Sequence, residues 1–290
     1  MPTLRTWSII LRAYSWPASL VPVVLGTVVA WRAGSFSLPD LLLTLVAALL
    51  VHSAANLANT YFDFTQGVDR KETADDRGLV DGLMPPRAML LTSLGMFAAG
   101  AAIGVLLALR NSVPALFLIG ASGFALAWFY TATGFAYKYR ALGDVGVFLA
   151  FGPLIVSGTA LIQARTWLPE ALWASIPVGL LIVAILHANN MRDVKADGEA
   201  QFRTLASVLG PRGALRFYDV LIVAPYLFAL TFGSVWPPIC CALSVPLALR
   251  AARLARKSDL SPLVPETARL VAVYGLLLAA GLYVAAWRAR

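Results

Sequence analysis

Acidic side chains are scarce in this 290-residue chain: there are fifteen, against twenty-three lysines and arginines, and charged residues of both signs make up only 13% of it. So thin a charge excludes an ordinary soluble domain, in which about a quarter of residues are charged. Histidine and cysteine are scarcer still, at two each. Cys240 and Cys241 are neighbours in an apolar run, too constrained to bridge one another, and read as small apolar fillers. No Cys/His spacing of the kind that ligates zinc or copper occurs. The basic excess is spread along the chain rather than gathered on one polar module, which argues against nucleic acid as a partner. No cleavable signal is expected, because the first apolar run is not a short core followed by a small-residue cleavage site.

What the chain has in abundance is apolar length. Hydrophobic residues make up 59% and the mean hydropathy is +0.75. A helix needs about 20 such residues to cross roughly 30 Å of hydrocarbon. Nine stretches qualify, near 15–33, 40–62, 87–109, 113–133, 142–163, 170–190, 214–234, 236–252 and 267–287. The expected fold is therefore all-α, a polytopic membrane protein of about nine transmembrane helices around a central cavity, forming a single membrane domain over 1–290. The boundary between the seventh and eighth spans rests on Trp236, Pro237 and Pro238 acting as a turn. Pro22, Pro153, Pro177, Pro225 and Pro246 fall inside spans, where they are expected to kink helices.

The basic residues choose the orientation. With an inside N-terminus, eighteen of the twenty-three lysines and arginines lie on inside segments, and only Arg32, Arg110, Arg165, Arg288 and Arg290 remain outside. The positive-inside rule thus places the N-terminus and the loops after the even-numbered spans in the cytoplasm, and the protein in the inner membrane if the cell is bacterial.

Polarity invades the helices at two places, both on that cytoplasmic side. The first is "NLANTYFDFTQGVDRKETADDRGLVDG", where Asp63, Asp69, Asp75, Asp76 and Asp81 fall within nineteen positions. Asn56, Asn59, Thr60 and Asp63 are spaced by three and four, which stacks them on one helical face, and Gly67 offers a natural helix end. The second is "LHANNMRDVKADGEAQFRTLASVLG", with Asn189, Asp193 and Asp197 four apart. Asn59 and Asp63 are displaced from Asn189 and Asp193 by the same 130 residues, as two half-sites facing one another across a bundle would be. Charged groups at membrane helix ends are costly, which makes such clusters functional candidates.

Two opposed carboxylate stripes repel unless cations join them, and hard oxygen donors without thiols point to Mg²⁺. Mg²⁺ is commonly held by one or two carboxylates together with substrate phosphate oxygens. A lipid diphosphate fits both halves of such a site, its headgroup at the cytoplasmic mouth and its tail among the helices. Arg70, Lys71, Arg77, Arg192, Lys195 and Arg203 are interspersed to neutralise the remaining phosphate charge. Lys138 either closes on the diphosphate or is, like Arg140, an inside-loop topology charge. Asp75 and Asp76 read as solvated loop carboxylates, and His52 and His187 as hydrogen-bonded packing residues.

The two segments resemble the aspartate-rich motifs of the UbiA superfamily of intramembrane aromatic prenyltransferases. The resemblance extends to "LRAYSWPASLVPVVLGT", similar to the family's opening helix, and to "YTATGFAYKYRALGDVGVFLAFGPL", similar to its fourth-to-fifth helix connection. Within the superfamily the wording "NTYFDF" and "DDRGLVDG" is most similar to the menaquinone-forming branch, 1,4-dihydroxy-2-naphthoate polyprenyltransferases and the animal vitamin K type, and nearer the animal pattern than the bacterial "NDYGD". The resemblance implies Mg²⁺ bound through both motifs and condensation of a polyprenyl diphosphate with an aromatic ring. Carried onto this chain, it implies catalytic Asn59, Asp63, Asp69, Asp193 and Asp197, with metal on the four aspartates. Asp69 follows Asp63 by six residues where the superfamily most often has four. Arg70, Lys71, Arg77, Lys138, Tyr139, Tyr130, Asn189, Arg192 and Lys195 are the expected substrate-binding residues. Tyr61, Phe62, Phe64, Tyr130 and Tyr139 lie near the helix ends where an allylic cation would form and aromatic faces would hold it. The competing reading from another class is a transporter, whose site is expected nearer the bilayer midplane than two clusters at helix ends. A UbiA-type transferase for another aromatic acceptor shares every motif.

Overall fold

A computed structural model describes residues 4–69, 77–132, 135–199 and 202–288. The helices are α1 (Leu4–Ile10), α2 (Pro17–Arg32), α3 (Leu38–Thr65), α4 (Arg77–Val80), α5 (Pro86–Asn111), α6 (Ala115–Trp128), α7 (Gly143–Leu149), α8 (Ile155–Ala164), α9 (Pro169–Glu199), α10 (Leu205–Ala229), α11 (Trp236–Ala242), α12 (Val245–Leu254) and α13 (Leu263–Arg288). Single 3₁₀ turns lie at Ala13–Ser15, Tyr137–Tyr139 and Leu230–Phe232. Among the described residues there is no strand, only one isolated parallel bridge between Arg140 and Arg203. The all-α class read from the sequence holds, and the chain is an integral, multi-pass membrane protein.

Seven of the nine expected spans are helical stretches long and apolar enough to cross a bilayer. The stretch expected over 113–133 forms the fourteen-residue α6, about 21 Å long at 1.5 Å per residue and short of the hydrocarbon thickness. The stretch expected over 236–252 is broken into α11 and α12. Trp236, Pro237 and Pro238 do not form the turn before it. Gly233, at φ 66, makes that turn, and the prolines open α11, where their missing N–H groups cost nothing. Pro246 likewise starts α12 instead of kinking a span. Pro153 does distort its helix: α7 and α8 are one apolar rod joined through a π turn at Ala150–Leu154.

The bundle packs α3 on α5, α9 on α10 and α13, and α2 on α8 and α13. Helices in lipid gain little from burying apolar surface against one another, so close backbone approach matters more. Gly26 and Gly275 provide it: a β-carbon on Gly275 would collide with Val21, and one on Gly26 with the Val156 carbonyl and Thr159. The largest core runs between α2, α9, α10 and α13 through Leu25, Leu181, Tyr218, Leu270 and Tyr274.

The end away from the two motifs is tied by side-chain amides and by an ion pair between Arg110 and Asp40 at 3.1 Å. Gln163 accepts from the Ser37 N–H at 2.7 Å and donates to the Ser37 carbonyl at 3.0 Å, while Arg165 donates to Asn111 at 3.2 Å.

Candidate active site

α3 carries the first motif. Its end is a Schellman closure, in which Val68 N–H donates to the Asp63 carbonyl at 2.8 Å and Gly67 N–H to the Phe64 carbonyl at 3.1 Å, with Gly67 left-handed at φ 74. Gly67 thus ends the helix as its identity suggests, and the Asp69 N–H folds back onto the Asp63 carbonyl at 3.1 Å. The four polar residues expected to share one face divide their work. Asn56 and Thr60 hold the N-terminal segment: Asn56 donates to the Leu11 carbonyl at 3.2 Å, and Arg12 donates to Thr60 at 3.3 Å. Asn59 and Asp63 turn instead to the connection between α6 and α7.

That connection presents Lys138 and Tyr139. Lys138 N–H pairs with the Tyr130 carbonyl and Tyr137 N–H with that of Phe129, which closes the chain into the Tyr137–Tyr139 turn. The Tyr137 ring lies so close to Gly146 that no β-carbon fits there, and its hydroxyl donates to the Leu126 carbonyl at 2.7 Å. So anchored, Lys138 Nζ reaches Asp63 Oδ2 at 2.8 Å and Asn59 Oδ1 at 3.4 Å, and the Tyr139 hydroxyl donates to Asp63 Oδ1. Burial pulls the Lys138 ammonium down, but the Asp63 carboxylate and Tyr139 outweigh it and hold Lys138 above its ordinary range. Lys138 also lies over the rings of Tyr139 and Tyr130, at 5.2 and 5.9 Å from their centroids.

The same connection is clamped to the second motif. Ala141 N–H donates to the Arg203 carbonyl at 2.7 Å, Arg203 N–H to that of Tyr139 at 3.3 Å, and Phe202 stacks on Tyr139 at 3.9 Å between centroids. Thr204 then caps α10 in a reciprocal box with Ser207. On α9, Arg192 grips Asp193 through Nε at 2.7 Å and Nη2 at 2.8 Å and also donates to Asn189 Oδ1 at 2.7 Å, while Asn189 Nδ2 donates to Asp193 at 3.2 Å. One turn on, the Asp197 carboxyl is pushed up to about 6, first by burial, with Lys138 opposing and Asp193 and Asp63 adding to the rise. The two half-sites therefore lie within electrostatic reach of one another.

The donor set fits Mg²⁺. Asn59, Asp63, Asp193 and Asp197 offer oxygen ligands, and the nearby Asp193 and Asp63 charges that add to burial in raising Asp197 are what a divalent cation relieves. Among the described residues, no three carboxylate, thiol or imidazole groups already converge on one point. Lys138 and Arg192 sit on the carboxylates instead.

Several expectations fall elsewhere. Arg70, Lys71, Asp75 and Asp76 lie outside the described residues, as does the Lys195 side chain. Arg77 pairs with Asp81 at 2.6 Å on α4, and Arg203 joins the site by its backbone while its side chain is exposed. Phe62 packs against Trp128 and Phe64 against the cluster of Ile10, Leu57 and Leu79, so both serve packing. Arg12 was read only as a topology charge, yet it acts electrostatically on Lys138 and Tyr130; nothing in "LRAYSW" announces the left-handed backbone, φ 51, that places it. Phe202 was missed because a stacking partner is visible only once the two segments meet.

The fold and this site define an intramembrane helical protein with paired acidic motifs. The UbiA prenyltransferase family model matches residues 19–273, so the chain belongs to that family of prenyltransferases. It is 35% identical over 289 residues to the UbiA prenyltransferase domain-containing protein 1 of Xenopus tropicalis, covering 97% of this chain and 82% of that one. To the human protein of the same name it is 36% identical, covering 95% and 82%. A UbiA homologue from Aeropyrum pernix superposes with a TM-score of 0.69 at 20% identity over 92% of this chain and 97% of that one. One from Archaeoglobus fulgidus, solved bound to GPP and Mg²⁺, superposes at 0.65 with 18% identity over 95% and 99%.

Proposed function

We propose that the chain transfers a polyprenyl group from an allylic diphosphate to 1,4-dihydroxy-2-naphthoate, with Mg²⁺, in menaquinone formation, and that its site opens to the cytoplasm. The observation that carries this reading is the buried Asp63 carboxylate, fixed by Lys138 and Tyr139 and within electrostatic reach of Asp197. The Archaeoglobus homologue's GPP and Mg²⁺ support the donor and the metal, and the similarity to animal relatives supports the branch.

Asp63, Asp69, Asp193 and Asp197, with Asn59 beside them, would hold Mg²⁺, which would neutralise as a Lewis acid the charge on the departing diphosphate. Lys138 and Arg192, which pair with the carboxylates here, carry donors suited to the phosphate oxygens of the donor and would bind them there. As the carbon–oxygen bond of the donor breaks, the faces of Tyr130 and Tyr139, already beside one cation in Lys138, hold the allylic charge. The embedding helices keep out water that would quench it. The naphthoate ring then forms the new carbon–carbon bond, and carbon dioxide leaves from the substituted carbon.

The test is purified protein in detergent with geranylgeranyl diphosphate, Mg²⁺ and a panel of aromatic acceptors. The expected product is prenylated naphthoquinone after air oxidation, abolished by EDTA. Transfer to hydroxybenzoate in preference would overturn the branch, and metal-independent donor binding with no prenylated product would overturn the enzyme.

A further inference from the structure

Below the aspartate motifs, α7 and α9 bury a carboxylate and an imidazole that the reaction outlined above does not use. Asp144 on α7 and His187 on α9 are both buried, and His187 Nδ1 lies 3.1 Å from Asp144 Oδ1. The other ring nitrogen, Nε2, lies 3.0 Å from the Ala214 carbonyl. A carbonyl only accepts, so Nε2 carries a hydrogen. Nδ1 then faces a carboxyl oxygen, and that contact is a hydrogen bond only if one proton lies between them. The pair therefore holds a single shared proton and is neutral as a unit, the form in which two such groups are buried at least cost. Phe217 braces the imidazole edge-on at 4.9 Å.

The second oxygen of Asp144 is left over. Asp144 Oδ2 is buried and accepts no hydrogen bond from any described residue. A buried carboxylate oxygen without a donor costs free energy unless a ligand supplies one. Its surroundings place it beside the site: Gly143, its neighbour in sequence, lies against the Tyr130 ring and the Lys138 backbone. The Tyr130 hydroxyl feels burial most, then Asp144, then Asp63, and stays protonated well above the ordinary phenol range. Asp144 and Asp63 thus both act electrostatically on the Tyr130 hydroxyl.

We propose that Asp144, positioned by His187, takes the hydroxyl proton of the aromatic acceptor beside Tyr130. This rests on the prenyltransferase reading and gives the acceptor its own activating group. The O–H bond of the acceptor breaks and one forms on Asp144 Oδ2, leaving the pair with one positive charge beside a naphtholate. The ring carbon forms its bond to the allylic carbon as the donor's carbon–oxygen bond breaks. Carbon dioxide then leaves its electron pair in the ring, and Asp144 returns the proton to the ring oxygen, so the pair ends as it began. Asp144 is here a catalytic residue and His187 a positioning residue.

The experiment is Asp144→Asn in the full chain, assayed with geranylgeranyl diphosphate, Mg²⁺ and dihydroxynaphthoate. General-base loss predicts a fall of at least about a hundredfold in the transfer kcat. Mg²⁺-dependent binding of a non-reactive prenyl thiodiphosphate should stay within about threefold of the unaltered protein, because the donor half is intact. The deficit should shrink by about tenfold or more for acceptors whose hydroxyl is already ionised at the assay pH, since they need no base. An equal deficit for every acceptor, or transfer within about threefold of the unaltered protein, overturns the inference and leaves the enzyme reading standing. If Asp144→Asn does not fold, His187→Gln is the decisive variant. It keeps a donor for Ala214 and should lower kcat about tenfold with the donor KM unchanged and the same rescue by ionised acceptors. Absence of that rescue overturns the inference. An unaltered protein that prenylates no aromatic acceptor overturns the proposed function and this inference with it.

Discussion

The two acidic motifs look alike in sequence and are held in opposite ways. Asp63 is almost buried, its side chain 4% exposed, and its partners Lys138 and Tyr139 come from a connection 75 and 76 residues away. Asp193 is 30% exposed and its partners are Arg192 and Asn189, its own helical neighbours. Among the described residues, the first carboxylate is thus oriented by tertiary structure and the second by neighbours on α9. On the proposed function, a site that admits a diphosphate and releases it would gain from this asymmetry, with one wall fixed and the other more open to solvent.

The sharpest way to break the comparison is to neutralise each carboxylate. Asp63→Asn and Asp193→Asn should both reduce turnover at least about a thousandfold, since each removes a charge from the proposed metal-binding cluster. Their stabilities should part company. Asp63→Asn leaves a largely buried ammonium without its counter-charge, a loss on the order of 3–5 kcal/mol. Asp193→Asn, on a partly exposed pair, should cost less than about 1 kcal/mol. Equal melting shifts for the two variants would show that the motifs are held alike.

Next in size is the loss of the cations themselves. Lys138→Met should lower kcat/KM for the donor about a hundredfold and Arg192→Met about tenfold, because Lys138 links the nearly buried Asp63 carboxylate, Asn59 and two aromatic rings while Arg192 pairs with the more exposed Asp193. A larger effect at Arg192 would reverse the assignment of the fixed and the more open wall.

A smaller effect is read through pH. Asp197 has its carboxyl raised to about 6 in the folded protein, burial first, so the folded state binds this proton more tightly than the unfolded chain. In EDTA, the contribution of Asp197 to stability should therefore be full below the ordinary carboxyl value of 3.8 and be lost as pH rises through about 6. Asp197→Asn should flatten that part of the melting profile. An unchanged profile would mean that the Asp197 carboxyl is not raised in the folded protein.

The smallest effect tests the clamp between the motifs. Phe202→Leu removes the stack on Tyr139, worth about 0.5–1.5 kcal/mol, and should lower kcat severalfold while leaving the donor KM nearly unchanged. A change confined to KM would place Phe202 against the donor instead of behind Tyr139.

Much of the fold was legible because lipid enforces it. Apolar runs long enough to span must be helices, and Gly67 ended α3 as its missing β-carbon allows. Errors came where length or local punctuation misled: α6 is too short to span, and Pro237 and Pro238 open a helix that Gly233 had already separated from its predecessor. At the site, the spacing of Asn189, Asp193 and Asp197 gave a stripe that α9 realises. The stripe read at Asn56, Asn59, Thr60 and Asp63 splits between two neighbours, because spacing fixes the angle of a side chain about its helix and not what the bundle sets opposite it.

By itself the sequence determined the medium, the helical class, the two acidic clusters and their oxygen-donor chemistry, all properties of composition and short spacing. Only the tertiary structure decided that Lys138 and Tyr139 grip Asp63, that Phe202 ties the motifs together, and that Asp144 meets His187 across 43 residues of chain. Those pairings depend on where the helices cross. Crossings in a membrane are set by close contacts such as Gly275 on Val21 and Gly26 on Val156, which no local pattern announces.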